Sequence, residues 1–122
     1  MTSLKVEIRS YFLPSPSTKV LKPGEYLVGR DPSCDIVIPD PYVSRKHLRI
    51  FHRDGKWYAV DMGSRNGTFV NGEDIRGREP IELAPGIELV LGLTTIRILE
   101  IVSSEGSERG GGSEEGGGGR QS

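Results

Sequence analysis

The 122-residue sequence predicts an all-β domain, a sandwich or a barrel, followed by a glycine-rich tail. Three observations predict it. Short runs with apolar residues at every second position recur between residues 4 and 102, the spacing of strands with one buried face. Turn-forming residues separate these runs at close intervals: Pro14-Ser15-Pro16, Pro23-Gly24, Asp31-Pro32, Asp40-Pro41, Asn66-Gly67, Asn71-Gly72 and Pro85-Gly86. No stretch of ten residues carries the 3.6-residue period of a helix. Many short strands punctuated in this way close into a sandwich or a barrel.

Leu4, Val6 and Ile8 alternate with Lys5, Glu7 and Arg9 and form the first strand. The apolar run Tyr26-Leu27-Val28 ends at Gly29-Arg30, and a second run, Ile36-Val37-Ile38, follows Cys34. Positions 41–49 allow one helical turn, but β-branched Val43 and the flanking prolines argue against anything longer. Leu48 and Ile50 alternate with His47 and Arg49. Trp57-Tyr58-Ala59-Val60 comes next, and Asp54-Gly55 between the two runs is a hairpin turn. Ile87, Leu89 and Leu91 alternate, and residues 95–102 close the domain as a mostly apolar strand. Composition then changes. Residues 103–122 hold eight of the seventeen glycines and no aliphatic or aromatic residue. Such a segment cannot bury enough surface to offset its ordering entropy, so the expected organisation is a domain over 1–102 and a disordered tail over 103–122.

One domain of this length can build its own core without disulfides or a metal. The net charge of -1 gives no bulk argument for a nucleic-acid or anionic-membrane partner. Cys34 has no second cysteine to pair with, which fits a reducing compartment. The first residues contain no apolar leader core, and no run of about 18 apolar residues exists to span a bilayer. Asn66-Gly67-Thr68 is therefore a glycosylation sequon without a secretory context. With two histidines and one cysteine, no metal or other cofactor is expected. The expectation is a cytoplasmic monomer that binds neither nucleic acid nor membrane.

Three loops concentrate polar residues between the apolar strands: Gly29-Arg30, then Ser44-Arg45-Lys46-His47, then Ser64-Arg65-Asn66-Gly67-Thr68, followed closely by Val70-Asn71-Gly72. Arg30, Arg45 and Arg65 each offer a planar guanidinium fork, and Lys46 a point charge. Ser44 offers a hydroxyl donor, and Asn66 an amide that can both donate to and accept from a peptide main chain. Glycines 29, 67 and 72 permit positive φ or close approach of another backbone. If the loops meet at one end of a sandwich, they form a cationic, donor-rich pocket suited to a phosphoryl group, which carries about -1.5 to -2 charge and three acceptor oxygens. Spacing alone does not bring them together.

These motifs, in this order, resemble the forkhead-associated (FHA) family, and Asp61-Met62-Gly63 resembles its approach to the third motif. The resemblance covers residues 4–102. It implies a two-sheet sandwich of eleven strands whose loops at one edge bind phosphothreonine peptides in kinase signalling, without catalysis. It implies that Arg30 and Ser44 hold the phosphate, that Arg45 adds a phosphate or peptide contact, and that Asn66 and Arg65 face the peptide. Gly29, His47, Gly67, Thr68, Asn71 and Gly72 are implied to brace the loops. Some family members carry an arginine two residues before the binding serine; this chain has Tyr42 there. The alternative function is a phosphorylation-independent interaction domain on the same scaffold.

Other residues read more plainly. Ser44 and His47 lack an orienting acid and brace a loop rather than form a nucleophile–base pair. His52 is expected on a solvated strand face, Trp57 and Tyr58 in strand packing, and Cys34 as a small semi-buried hydrophobe. Asp31 and Asp35 suit turns, Arg76 and Arg78 an ordinary solvated loop, and Thr2 a mobile N-terminal arm.

Overall fold

The computed structural model describes residues 2–103. The expected tail therefore lies outside the described residues from 104 onward. Eleven strands follow in order: β1 (Thr2–Ser10), β2 (Ser17–Leu21), β3 (Glu25–Gly29), β4 (Ile36–Val37), β5 (Leu48–Arg53), β6 (Lys56–Asp61), β7 (Phe69–Val70), β8 (Glu73–Asp74), β9 (Ile81–Glu82), β10 (Glu88–Leu91) and β11 (Thr94–Ser103). They make two sheets. One has six strands in the order β2-β1-β11-β10-β7-β8; the other has five in the order β4-β3-β5-β6-β9. This is the expected sandwich.

Period-2 patterning explains the packing. Leu4, Val6 and Ile8 of β1, Leu89 and Leu91 of β10 and Ile96 and Ile98 of β11 point inward from the larger sheet. Val28, Leu48, Ile50, Trp57 and Ala59 meet them from the smaller one. Each such large side chain contributes about 1.5–3 kcal/mol by leaving water. The intervening residues stay outside and pair by charge, as Lys5 does with Glu100. Tyr58 stacks on Phe51 across β5 and β6, as strand-face packing predicts.

Two hairpins owe their turns to residues that tolerate positive φ. Asp54-Gly55 (φ 52° and 80°) joins β5 to β6, and Asn71-Gly72 (φ 53° and 80°) joins β7 to β8. Both pairs match a type I′ turn, whose twist suits antiparallel strands. Asn71 and Gly72 thus serve as a hairpin tip. At 41–49 the chain makes turns and no helix, with the Val43 N–H donating to the Asp40 carbonyl at 3.0 Å.

Three expectations change. Thr2 lies in no mobile arm: it pairs with Ser103 in β1–β11, and its hydroxyl lies 3.1 Å from His52 Nε2. His52 is half-buried rather than solvated, and its ring meets Trp57 edge-on at 5.2 Å. Ser103 belongs to β11, so the strand runs one residue past the expected boundary. These contacts also fix the polarity of the sandwich. The β1 start, the β11 end and the β5–β6 turn share one pole. The loops after β3, β4, β6 and β10 share the other.

Candidate functional site

The first loop leaves β3 at Gly29, which is buried against the neighbouring loop. A Cβ built on Gly29 would lie 2.0 Å from the Arg45 carbonyl oxygen. Its φ is not positive, so glycine is required here for space rather than for conformation. The close approach is fixed by main-chain bonds: Arg30 N–H donates to Ser44 O at 3.0 Å and Asp31 N–H to Arg45 O at 3.2 Å. Cys34 is buried and its thiol donates to the same Arg45 carbonyl at 3.1 Å. Asp31 caps its own turn by accepting from Ser33 N–H, and Asp35 accepts from Leu27 N–H.

His47 ties the second loop to the third. It is fully buried; its Nδ1 accepts from the Ser44 N–H at 2.9 Å, which leaves Nε2 to donate to Gly67 O at 3.0 Å. With Nδ1 committed to a backbone donor, His47 is not placed to act as a base on the Ser44 hydroxyl. Burial pushes the imidazole below its ordinary value of 6.5, against the pull of Gly67 O and of the Asp61 and Asp40 carboxylates. A histidine with a lowered native pKa takes up its proton more readily when unfolded. The stability it contributes is complete above 6.5 and is lost as pH falls from there through the native value. We expect the His47 ring to titrate below 6.5 by NMR, and the melting temperature to start falling in that window, above the carboxylate range. A His47 titration at or above 6.5 would contradict this account.

Asp61 organises the third loop. Its buried carboxylate accepts from Gly63 N–H, Ser64 N–H, Ser64 Oγ and Thr68 Oγ1, all within 2.8 Å. Burial pushes this carboxyl up, yet the donors from Ser64, Thr68 and Gly63 outweigh it and leave it below the usual 3.8. Gly67 (φ 92°) turns the chain back, and its N–H donates to Ser64 Oγ. Thr68 is thus structural through its hydroxyl.

The rim itself is closed by side chains. Arg65 N–H donates to Ser44 Oγ at 2.9 Å, so the serine proton is left to point elsewhere. Asn66 Nδ2 donates to Tyr42 O at 2.9 Å, and Arg30 Nε to Val43 O at 3.0 Å, which leaves both terminal nitrogens of Arg30 without a partner among the described residues. Arg30, Ser44, Arg45, Arg65 and Asn66 line one cavity of about 310 Å³ with Pro41, Tyr42 and Val43. Lys46 is exposed and is not part of that lining. A second, more apolar concavity of about 380 Å³ adjoins it and shares Tyr42 and Asn66; Phe69, Gly92 and Leu93 complete it.

The charge arrangement separates this cavity from the rest of the surface. Arg9, Arg49, Arg76, Arg78 and Arg97 each have a carboxylate within 4.0 Å, and Arg53 lies over the Phe51 ring. Among the described residues the remaining arginines are Arg30, Arg45 and Arg65, all in the cavity and none with a carboxylate partner. Three guanidinium groups line it, and among the described residues none has a carboxylate within 4.0 Å.

Two functional supports escape sequence reasoning. Asp40, read as a turn residue before Pro41, is fully buried and accepts from Tyr42 N–H, Leu93 N–H and Thr94 Oγ1. It joins the serine loop to the β10–β11 turn. Arg76, expected in an ordinary loop, grips Asp74 and donates to Arg65 O at 2.8 Å. A buried polar contact between residues 53 apart leaves no local signal.

Comparison with known proteins agrees with this geometry. The family model for the FHA domain matches residues 26–92, more than half of the chain. The chain belongs to the FHA family. The FHA region is 39% identical over 72 residues to an oxoglutarate dehydrogenase inhibitor of Corynebacterium diphtheriae, covering 59% of this chain and 48% of that protein. It is 42% identical over 67 residues to the glycogen accumulation regulator GarA of Mycolicibacterium smegmatis, covering 52% of this chain and 39% of that one. The chain thus spans half or less of the length of these curated relatives. A solved structure from a study of phosphothreonine-dependent FHA domain interactions superposes with a TM-score of 0.66 at 29% identity, over 78% of this chain and 95% of its own. Among the described residues of this FHA domain, no helix is long and apolar enough to cross a membrane, and no three His, Cys, Asp or Glu side chains cluster as metal ligands.

Proposed function

We propose that this FHA domain is a non-catalytic module that binds phosphothreonine in a partner protein. One observation carries the reading: the three arginines that have no carboxylate within 4.0 Å among the described residues line a single cavity with Ser44 and Asn66. A phosphoryl dianion supplies the missing negative charge, and guanidinium forks match its oxygens. Arg30 and Ser44 hold the phosphate and Arg45 adds to it. Asn66 and Arg65 face the peptide main chain, with Asn66 already immobilised on Tyr42 O. The FHA fold of the phosphothreonine-dependent relative supports the same assignment.

Desolvation and peptide ordering offset much of the hydrogen-bond energy, so affinity is on the order of micromolar, about -8 kcal/mol. Preference for threonine over serine needs an apolar wall for the γ-methyl group; Pro41, Tyr42 and Val43 are the apolar residues at the cavity. One such methyl contributes roughly 1–3 kcal/mol, or about 5- to 150-fold. The adjoining concavity under Leu93 takes an apolar side chain flanking the phosphothreonine.

Fluorescence anisotropy with one peptide in phosphothreonine, phosphoserine and unphosphorylated form tests the reading. The expected order is tight, weaker by at least fivefold, and undetectable. Equal binding of the phosphorylated and unphosphorylated peptides would instead establish the phosphorylation-independent function.

A further inference from the structure

The pole with the arginine-lined cavity exposes apolar side chains beyond its two concavities. Eight large hydrophobic side chains are exposed among the described residues, and only two of them are aromatic: Tyr11 at 82% and Tyr42 at 53%. Both flank Leu93, itself 53% exposed. Tyr42 meets it across the apolar concavity that they share. Tyr11 meets it through its own backbone, whose N–H donates to Leu93 O at 3.1 Å. Val90 lies opposite Phe69 of that concavity, and the rest are three valines and one methionine, which is ordinary for a protein surface.

This cluster is held rigidly although it faces solvent. Ser10 closes the β1–β2 loop by accepting from Phe12 N–H at its hydroxyl and from Leu13 N–H at its carbonyl. Thr94 Oγ1 lies 2.8 Å from both Ser10 Oγ and Asp40 Oδ2, and Asp40 also holds Leu93 N–H and Tyr42 N–H. One buried carboxylate therefore fixes the serine loop and the β10–β11 turn and, through Thr94 and Ser10, the β1–β2 loop. Phe12 packs edge-on under Tyr11 at 5.3 Å. An exposed aromatic on a pre-ordered support costs little entropy to bury, which is the character of an anchor residue at an interface.

We propose that the β1–β2 loop, led by Tyr11, is a second contact surface for the phosphorylated partner, reached through Leu93 from the phosphopeptide rim. Its occupant is an apolar segment of the same partner chain, further from the phosphothreonine than the side chain in the adjoining concavity. Continuity selects this occupant. A ligand with its phosphate among Arg30, Ser44 and Arg45 passes Asn66 and Tyr42 to enter the concavity, and the wall it meets there is Leu93, whose carbonyl accepts from Tyr11 N–H. The inference rests on the phosphothreonine reading.

The test uses the whole chain, its Tyr11→Ser and Leu93→Ser variants, and two sets of synthetic peptides. One set is a capped phosphothreonine pentapeptide of otherwise alanine. The other is a library of 15-residue phosphothreonine peptides in which leucine or tyrosine is scanned through every flanking position. Both substituted side chains are exposed, so folding is retained, and melting curves verify it. The expected result is a longer peptide that binds the parent chain about tenfold more tightly than the pentapeptide, with each variant losing most of that gain and Tyr11→Ser binding the pentapeptide as before. Variants that bind every peptide like the parent would overturn the second surface while leaving phosphothreonine recognition intact. A parent chain that binds no phosphopeptide would remove the underlying reading and this inference together. Light scattering supplies the remaining outcome: a dimer of the parent chain that Tyr11→Ser dissociates would assign the surface to a second copy and refute the proposal.

Discussion

Alanine in place of Arg30 is expected to abolish detectable binding of a phosphothreonine peptide while leaving the domain folded. Arg30 is exposed, and its backbone N–H bond to Ser44 O survives the change. What disappears is a guanidinium held by Nε on Val43 O, with both terminal nitrogens free to meet phosphate oxygens. Each charge-assisted bond is worth roughly 1.5–3 kcal/mol, so losing two weakens a micromolar complex at least a hundredfold. Lysine should not rescue it, because an ammonium can reproduce neither the fork nor the bond to Val43 O. Ser44→Ala removes one neutral donor and the acceptor for Arg65 N–H, and is expected to cost about tenfold. Isothermal titration of the three variants gives the ranking. Unchanged affinity in a folded Arg30→Ala protein, or a larger loss in Ser44→Ala, would refute the assigned roles.

The second large effect concerns space rather than charge. Gly29→Ala places a methyl carbon 2.0 Å from the Arg45 carbonyl oxygen and 2.7 Å from its carbon, both main-chain atoms. Relief requires the serine loop to move away and break the bonds from Arg30 N–H and Asp31 N–H. Overpacking against backbone costs about 3 kcal/mol or more, a large part of a 5–15 kcal/mol stability. For a domain of this size the melting temperature should fall by about 10–20 °C, with phosphopeptide binding lost even below the transition. Gly55→Ala is the control. Nothing lies within 4 Å of its added methyl, so only the conformational cost of φ 80° remains, about 1–2 kcal/mol. A Gly29→Ala protein melting no earlier than Gly55→Ala would show that the loop yields.

Much of this architecture was legible in sequence, for a physical reason. β1, β5, β6, β10 and β11 each bury alternate residues for several positions, and that alternation is written in the chain. β4, β7, β8 and β9 have two residues each, too few to carry a period. β2 lies at a sheet edge and buries only Leu21 of its five residues, so its pattern is mostly polar. The candidate rim was legible as residue types at motif spacing, from Gly29-Arg30 to Asn66. Its supports were not. Asp40 draws Leu93 and Thr94 from more than fifty positions away, and Arg76 reaches back to Arg65 O, so each looked like an ordinary turn or loop residue. His52 was misread because alternation placed it on a face without showing that Thr2 and Trp57 would cover it.

The pairing of Thr2 with Ser103 has a practical corollary. Thr2 and Ser103 lie at the pole opposite the arginine-lined cavity, so a fluorophore, bead or sensor-chip linkage beside either residue holds the recognition face toward the bulk solution. Head-to-tail concatemers of the domain, joined by flexible spacers, would present every copy unobstructed and gain avidity for multiply phosphorylated targets.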